Sequence, residues 1–382
     1  MRVLVAPDKF RGTLTAIQAA AALAEGWRRS RPRDEVETCP VADGGEGTMW
    51  ALLAALGGRA VAAGARGPLG ERIGASVGLA EPGGTRLAIV ESASASGLAL
   101  LPETARDALR AGTAGTGDLI RAALDLAPER ILLCVGGTAS TDGGAGMAMA
   151  LGARLARADG TSIGAGGSGL LELAAVDVSS LDPRLRAVDL DVCVDVDNPL
   201  TGPTGAGAAF GPQKGASPAD VVLLDRALGH LAAVVHRDLG VDLRGRPGSG
   251  AGGGLAFGTA VFLGGRIRSG AGLVSEVLGL EARVRRADVV ITGEGRFDRG
   301  TLRGKAPAEV LRLAREAGAE PVVVCGEAEP GVRELVPGLG RVVSLTDRFG
   351  AAAASADAAA RLTDLGAEIA ATIAEERGTD AG

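Results

Sequence analysis

The chain has 382 residues, 23% of them charged, with a formal net charge of −6. That length exceeds one ordinary domain, and the acidic balance removes the attraction on which nucleic-acid binding relies, so two domains and no nucleic-acid partner are expected. Aromatics make up 2% and tyrosine is absent, which leaves an aliphatic core; at 46% hydrophobic the chain is too apolar for disorder despite its 61 glycines.

Val3 to Ala6 reads as a short buried strand. Thr15 to Gln18 (TAIQ) is a capping box opening a helix with Ile17, Ala20, Ala24 and Trp27 on one face, and Arg28, Arg29, Arg31 and Arg33 close it, where cations suit the C-terminal dipole. Val36 to Val41 is the next strand, followed by the turn ADGGEGT and a helix over Met49 to Leu56 that Gly57 and Gly58 stop. Strand and helix alternate, which predicts a parallel sheet. After Arg66 the pattern changes: Arg72 to Leu79 and Thr85 to Glu91 alternate around EPGG, a β-hairpin that opens a second, mixed domain. In it Ile131 to Val135 is a buried strand running into GGTASTDGGAGM and a helix, Leu190 to Val196 is a strand, and Val221 to Asp238 a long helix. The first pattern then returns in the strands Ala287 to Ile291, Pro321 to Cys325 and Arg341 to Leu345, and the helix Ala352 to Arg377 ends the chain. The expected fold is therefore α/β, with a parallel-sheet domain built from both chain ends (1–65 plus 285–382) and an inserted α/β domain containing a mixed sheet (66–284).

Several familiar chemistries lack their parts. The four cysteines, Cys39, Cys134, Cys193 and Cys325, are far apart and read as buried free thiols of a reducing cytoplasm. The two histidines, His230 and His236, share one helix and read as helix surface, too few for zinc or a histidine triad. No apolar run approaches a membrane span, so no membrane partner is expected, and no GxxxxGK[ST] loop is present. GxGxxG does occur at Gly164 to Gly169, but no strand feeds it, and it reads as a turn.

What remains is a set of glycine-dense turns carrying charge, placed where open α/β sheets bind ligands, beyond the carboxyl ends of the strands. Gly136 and Gly137 let backbone N–H groups approach an anion. APDKFRGT holds Asp8, Lys9 and Arg11 in one loop, able to clamp an anion and its metal or simply to cap backbone N–H groups. ADGGEGT carries Asp43 and Glu46 ahead of a helix, more acid than capping needs and suited to Mg²⁺. Asp195, Asp197 and Asn198 end a strand, the first two alternating so as to share one face. GPQKGA supplies Lys214, and ITGEGRFDRGTLRGKAP supplies Glu294, Arg296, Asp298 and Lys305. Acids and cations without a histidine or reactive cysteine suggest phosphoryl transfer, which needs positioning and charge neutralisation above all.

The strings APDKFRGT, PVADGGEGT, ESASASGL, GGTASTDGGAGM, DVDNPLTGPTGAGAAFGPQKGA, PGSGAGGG and ITGEGRFDRGTLRGKAP occur in the order seen in bacterial glycerate kinases of the glycerate kinase I family, which the chain resembles over nearly its whole length. The resemblance implies a flavodoxin-like domain beside a second α/β domain, and ATP-dependent phosphorylation of D-glycerate with Mg²⁺, to 2-phosphoglycerate rather than the 3-isomer. On that reading Asp195 accepts the hydroxyl proton, Lys9 and Arg11 grip phosphate or the glycerate carboxylate, and Lys214 and Lys305 neutralise the transferring charge. Asp43, Glu46 and Asp197 hold the metal. Gly136, Gly137, Ser140, Asp142, Gly293, Glu294, Asp298 and Lys305 line the nucleotide site, and Asp8, Asn198, Ser94 and Ser96 the substrate. The family often has serine and lysine where this chain has Lys9 and Arg11, glutamine at Gly300 and methionine at Ser92; no charge that the mechanism needs is lost. A kinase or phosphatase for another hydroxy or sugar acid, and a non-catalytic small-molecule binder, are the alternatives; a homodimer is left open.

Overall fold

The computed structural model describes residues 1–10, 12–332 and 340–379, and its contacts divide the chain into two units. In chain order the strands are β1 (Arg2–Val5), β2 (Glu35–Thr38), β3 (Arg59–Arg66), β4 (Arg72–Ala80), β5 (Leu87–Glu91), β6 (Arg130–Cys134), β7 (Arg154–Ala156), β8 (Ala175–Asp177), β9 (Asp189–Val194), β10 (Arg266–Ser269), β11 (Val289–Phe297), β12 (Glu320–Ala328) and β13 (Arg341–Ser344). Among the described residues no helix is long and apolar enough to cross a membrane.

Unit 1 comprises Met1–Asp43, Trp50–Gly57 and Ala271–Gly382. Its sheet runs β13-β12-β11-β1-β2, all parallel, with Val3 opposite Val289 on one side and Val36 on the other. Counted within the unit this is the order 2-1-3-4-5 of flavodoxin-like folds, whose switch point lies between the first and third strands, here β1 and β11. The TAIQ capping box forms as expected, Thr15 accepting from the Gln18 N–H and Gln18 from the Thr15 N–H. Trp27, Leu23 and Val5 join the core with Ile291, Val324 and Leu365. Ile17 does not: it is 38% exposed, one step off the buried stripe of Ala16, Ala19, Ala20, Leu23 and Trp27. The helices Ala16–Ser30 and Ala358–Thr379 touch backbone to backbone, since a Cβ at Gly26 would lie 1.9 Å from the Thr363 carbonyl oxygen. Arg28 donates to the Val36 carbonyl on edge strand β2, and Arg31 to Asp34, so the arginine cluster is spent locally.

Unit 2 comprises Gly44–Met49 and Gly58–Gly270. Its sheet runs β10-β9-β6-β5-β4-β3, parallel from β10 to β5 and antiparallel from β5 to β3, with β7 and β8 a separate antiparallel pair. The sequence put residues 58–65 with the first sheet, but Arg59–Arg66 pairs residue for residue with β4 in the second; conversely, 271–284, read as inserted, fall in unit 1. Periodicity shows that a strand exists, not which edge it pairs with. At the opposite strand ends Asp191, with none of its side chain exposed, takes Arg130 and Arg266 at 2.9 Å each, a buried charge that ties β6, β9 and β10. The helix Pro218–Leu239 starts at a Ser217/Asp220 capping box, and its His230 bonds the Leu173 carbonyl rather than lying on open surface.

At the switch point β11 meets β12 so closely that a Cβ at Gly293 would sit 1.6 Å from the Val324 carbonyl oxygen. Gly293→Ala is expected to cost about 3 kcal/mol or more, as forced overpacking against an immovable backbone does. Gly74→Ala, where a Cβ meets nothing within 4 Å, is the control expected within about 0.5 kcal/mol. Urea midpoints compare the two, and equal stabilities would contradict the packing described.

Candidate functional site

In unit 1 the chain brings three acids to the switch point. The ends of the strands are stitched together there: Ala6 N–H donates to the Ile291 carbonyl, Asp8 N–H to Gly293, Gly295 N–H to Lys9 and Val41 N–H to Pro7. This backbone lattice carries Asp8 (3% exposed), Asp43 (4%) and Glu294 (9%) into one desolvated place. Burial first, then the neighbouring Asp43 charge, pushes the Asp8 carboxyl up to about 7, against the pull of Lys9 and its N–H, which donates to Asp8 at 2.6 Å. Glu294 is also raised, by burial before anything else; the Thr301 hydroxyl at 2.5 Å and the Lys305 ammonium at 3.8 Å pull it back. Asp298 is occupied with the loop, accepting from Thr301 N–H at 3.1 Å, with Arg296 at 3.6 Å. Arg11 lies outside the described residues.

Among the described residues no group of three or more acids, histidines or cysteines is close enough to bind a metal unaided. Mg²⁺ does not ask for that; it takes one or two carboxylates and completes its shell with water and phosphate oxygens. Two hard oxygen donors held together against their mutual repulsion, Asp8 and Asp43, fit such a cation.

In unit 2 the GGEGT part of the ADGGEGT turn meets the turns beyond β5 and β6. Gly136 and Gly45 approach so closely that a Cβ at Gly136 would lie 2.8 Å from the Gly45 Cα, which brings Glu46 beside Gly137. Leu98 N–H donates to the Gly137 carbonyl and Ala139 N–H to Ser96, so the turn after β6 is pinned to the ESASASGL segment. Buried Glu91, absent from the residues picked out by charge alone, accepts from Met49 N–H at 2.6 Å.

Several expected ligand contacts are engaged within the chain instead. Asp142, 1% exposed, accepts four bonds, from Thr113 N–H, Thr113 hydroxyl, Gly144 N–H and Gly146 N–H, so it shapes the turn and has little left to offer a nucleotide. Ser96 pairs with the Thr116 hydroxyl at 2.9 Å, and Asn198 donates to the Thr204 carbonyl at 2.8 Å, while Ser94 is half-buried. Asp195 and Asp197 do not alternate on a strand: β9 ends at Val194, and both acids stand exposed in the loop beyond it. Lys214 is 2% exposed and donates to the Ser140 carbonyl at 2.6 Å and the Thr138 hydroxyl at 3.3 Å; burial pushes its ammonium down to about 7.

Two glycine-turn sites at the carboxyl ends of two sheets are what the motif order led us to expect, and comparison with known proteins decides the family. A profile of the Glycerate kinase family matches residues 3–374. The chain belongs to the glycerate kinase family. It is 42% identical over 377 residues to a Bacillus subtilis protein named glycerate kinase, covering 97% of this chain and 98% of that one. It is 43% identical over 326 residues to an Escherichia coli protein named glycerate 2-kinase, covering 85% of each. A crystal structure from Salmonella typhimurium LT2, assigned as glycerate kinase 2, superimposes with a TM-score of 0.88 at 41% identity over 99% of both chains. Membership in a kinase family brings a nucleotide and a small-molecule acceptor as ligands.

The buried acids make a pH prediction. A carboxyl at about 7 in the folded chain, against an ordinary 3.8, binds its proton more tightly folded than unfolded. Its contribution to stability is therefore complete below about pH 4 and is lost as pH rises through 7. In magnesium-free buffer Asp8→Asn, which mimics the protonated group, should be more stable than the native chain at pH 8 by on the order of 4 kcal/mol, by less than half of that at pH 5, and nearly equal below about pH 4. Urea midpoints at these pH values test this; a gap independent of pH would show that Asp8 is not the titrating group.

Proposed function

We propose that this chain is an ATP-dependent glycerate kinase that phosphorylates D-glycerate at the 2-hydroxyl, with Mg²⁺, in the cytoplasm. The observation that carries the reading is the end-to-end likeness to proteins named glycerate kinase, with position 2 favoured by the Escherichia coli relative named glycerate 2-kinase. Four free cysteines, all buried, suit a reducing compartment.

The chemistry asked of the protein is positioning and proton removal. The glycerate hydroxyl oxygen attacks the γ-phosphorus in line, the bond to the bridging oxygen breaks, and ADP leaves. Asp195, exposed on the loop after β9, is the proposed acceptor of the hydroxyl proton. Lys9, on the loop after β1, and Arg11 are proposed to hold phosphate or the glycerate carboxylate. Lys305, already drawn to Glu294, is proposed to answer developing negative charge. Gly136, Gly137 and Ser140 offer a turn that a phosphate oxygen can approach closely. Mg²⁺ held by Asp8 and Asp43, in place of the expected set of Asp43, Glu46 and Asp197, would neutralise phosphate charge and relieve the repulsion between the two acids.

Incubation of the purified protein with ATP, Mg²⁺ and D-glycerate should release ADP and give 2-phosphoglycerate, identified by ³¹P and ¹H NMR; exclusive 3-phosphoglycerate would reverse the regiochemistry, and no product would reject the activity. Asp195→Asn should lower kcat by about 10² or more while leaving nucleotide binding intact. A near-normal kcat would move the base elsewhere.

A further inference from the structure

Lys214 is the one lysine or arginine among the buried residues described, and nothing in the chain fully answers its charge. It stands on the single turn Pro212–Lys214, closed by Gly215 at a φ of +93°, and its stem carries the ammonium inward. Nζ has three N–H donors and two partners, the Ser140 carbonyl and the Thr138 hydroxyl. The hydroxyls of Ser140 and Thr141, both fully buried in the same stretch, find no partner at all. Asp142 is the charged group that acts on the ammonium, but its oxygens are bound by Thr113, Gly144 and Gly146. Arg106 reaches the Lys214 loop only through the Gln213 carbonyl. A buried cation normally has a paired anion, and buried hydroxyls are normally bonded. Here a cation and two unbonded hydroxyls gather under a glycine turn.

We propose that Lys214 is a positioning residue: its ammonium holds the Thr138–Thr141 turn from beneath in the form that receives the phosphate oxygens of a polyphosphate, and that anion, supplied from outside the chain, completes its charge. The assignment of the polyphosphate to ATP rests on the kinase reading; the cation under the turn does not. Desolvation, which already draws the ammonium down to about 7, gives the arrangement a pH signature: an anion that favours the charged form binds less well as pH rises through 7.

The test uses the full chain as native protein, Lys214→Met and Lys214→Arg. Tripolyphosphate binding is measured by calorimetry at pH 6 and pH 8.5, and KM for ATP and for glycerate by coupled assay. Lys214→Met should bind tripolyphosphate about tenfold or more weakly at pH 6 and raise KM for ATP in step, with KM for glycerate nearly unchanged. Lys214→Arg, whose charge does not titrate, should restore binding and lose the part of the pH dependence that Lys214→Met also lacks. Tripolyphosphate binding by Lys214→Met within twofold of native, or a shift confined to KM for glycerate, would overturn the proposal. Should Lys214→Met fail to fold, Lys214→Arg decides: a pH dependence unchanged from native overturns it. Lysine-dependent tripolyphosphate binding by a protein that phosphorylates no glycerate would sink the kinase reading and uphold this one.

Discussion

Much of this molecule depends on backbone meeting backbone without side chains between. Gly253 would place a Cβ 2.0 Å from the Ser140 carbonyl oxygen, and Gly258 one 2.3 Å from that of Gly143, so the PGSGAGGG stretch and its helix press directly on the turn after β6. At the switch point of the other unit Gly293 does the same to Val324. A turn held this way cannot drift, because its neighbours are main chain and have no rotamers to change. PGSGAGGG thus braces the turn after β6.

Rigid turns let the protein keep charge where charge is costly. Asp8, Asp43 and Glu294 in unit 1, and Lys214 in unit 2, are all nearly withdrawn from water. Each raised carboxyl and the lowered ammonium records a desolvation that the protein's own partners only partly offset. On the proposed reading, ligands of opposite sign would supply what is missing: a divalent cation for the acids, phosphate oxygens for the lysine. Catalysis by preorganised charge works in this way, since the cost of gathering the charges is met in folding rather than at the reaction. The Asp191 cluster with Arg130 and Arg266 is the contrast, buried as deeply but internally paired, and so purely structural.

The flavodoxin-like unit was legible because its signals are local. A capping box at Thr15, an aliphatic run before a glycine turn and a helix after it are all written within a dozen residues. The capping box and its helix formed where expected, while β2 stops at Thr38, short of the expected Val41, and β11 runs on to Phe297, past the expected Ile291. Two of the charged turns were legible for the same reason: Asp8 and Asp43 follow strands, and in a doubly wound sheet all strand ends point one way, whereas Glu294, expected in a turn, lies within β11 opposite Cys325. Thr301, which holds Glu294, and Thr113, which holds Asp142, carried no signal, because a threonine hydroxyl looks alike whether it faces water or a carboxylate.

The amino-acid sequence by itself determined the element types, the α/β class, the family and the residues from which a site could be built, since periodicity, glycine turns and motif order are properties of neighbouring positions. Only the tertiary structure decided that Arg59–Arg66 closes the second sheet, that Asp195 and Asp197 leave β9 for an exposed loop, and that Asp142 serves its own turn. It also decided that the Lys214 ammonium is buried under Ser140. Those outcomes turn on which distant segments share a strand edge or exclude water from a charge, and long-range pairing and desolvation leave no mark on the residues adjacent in the chain.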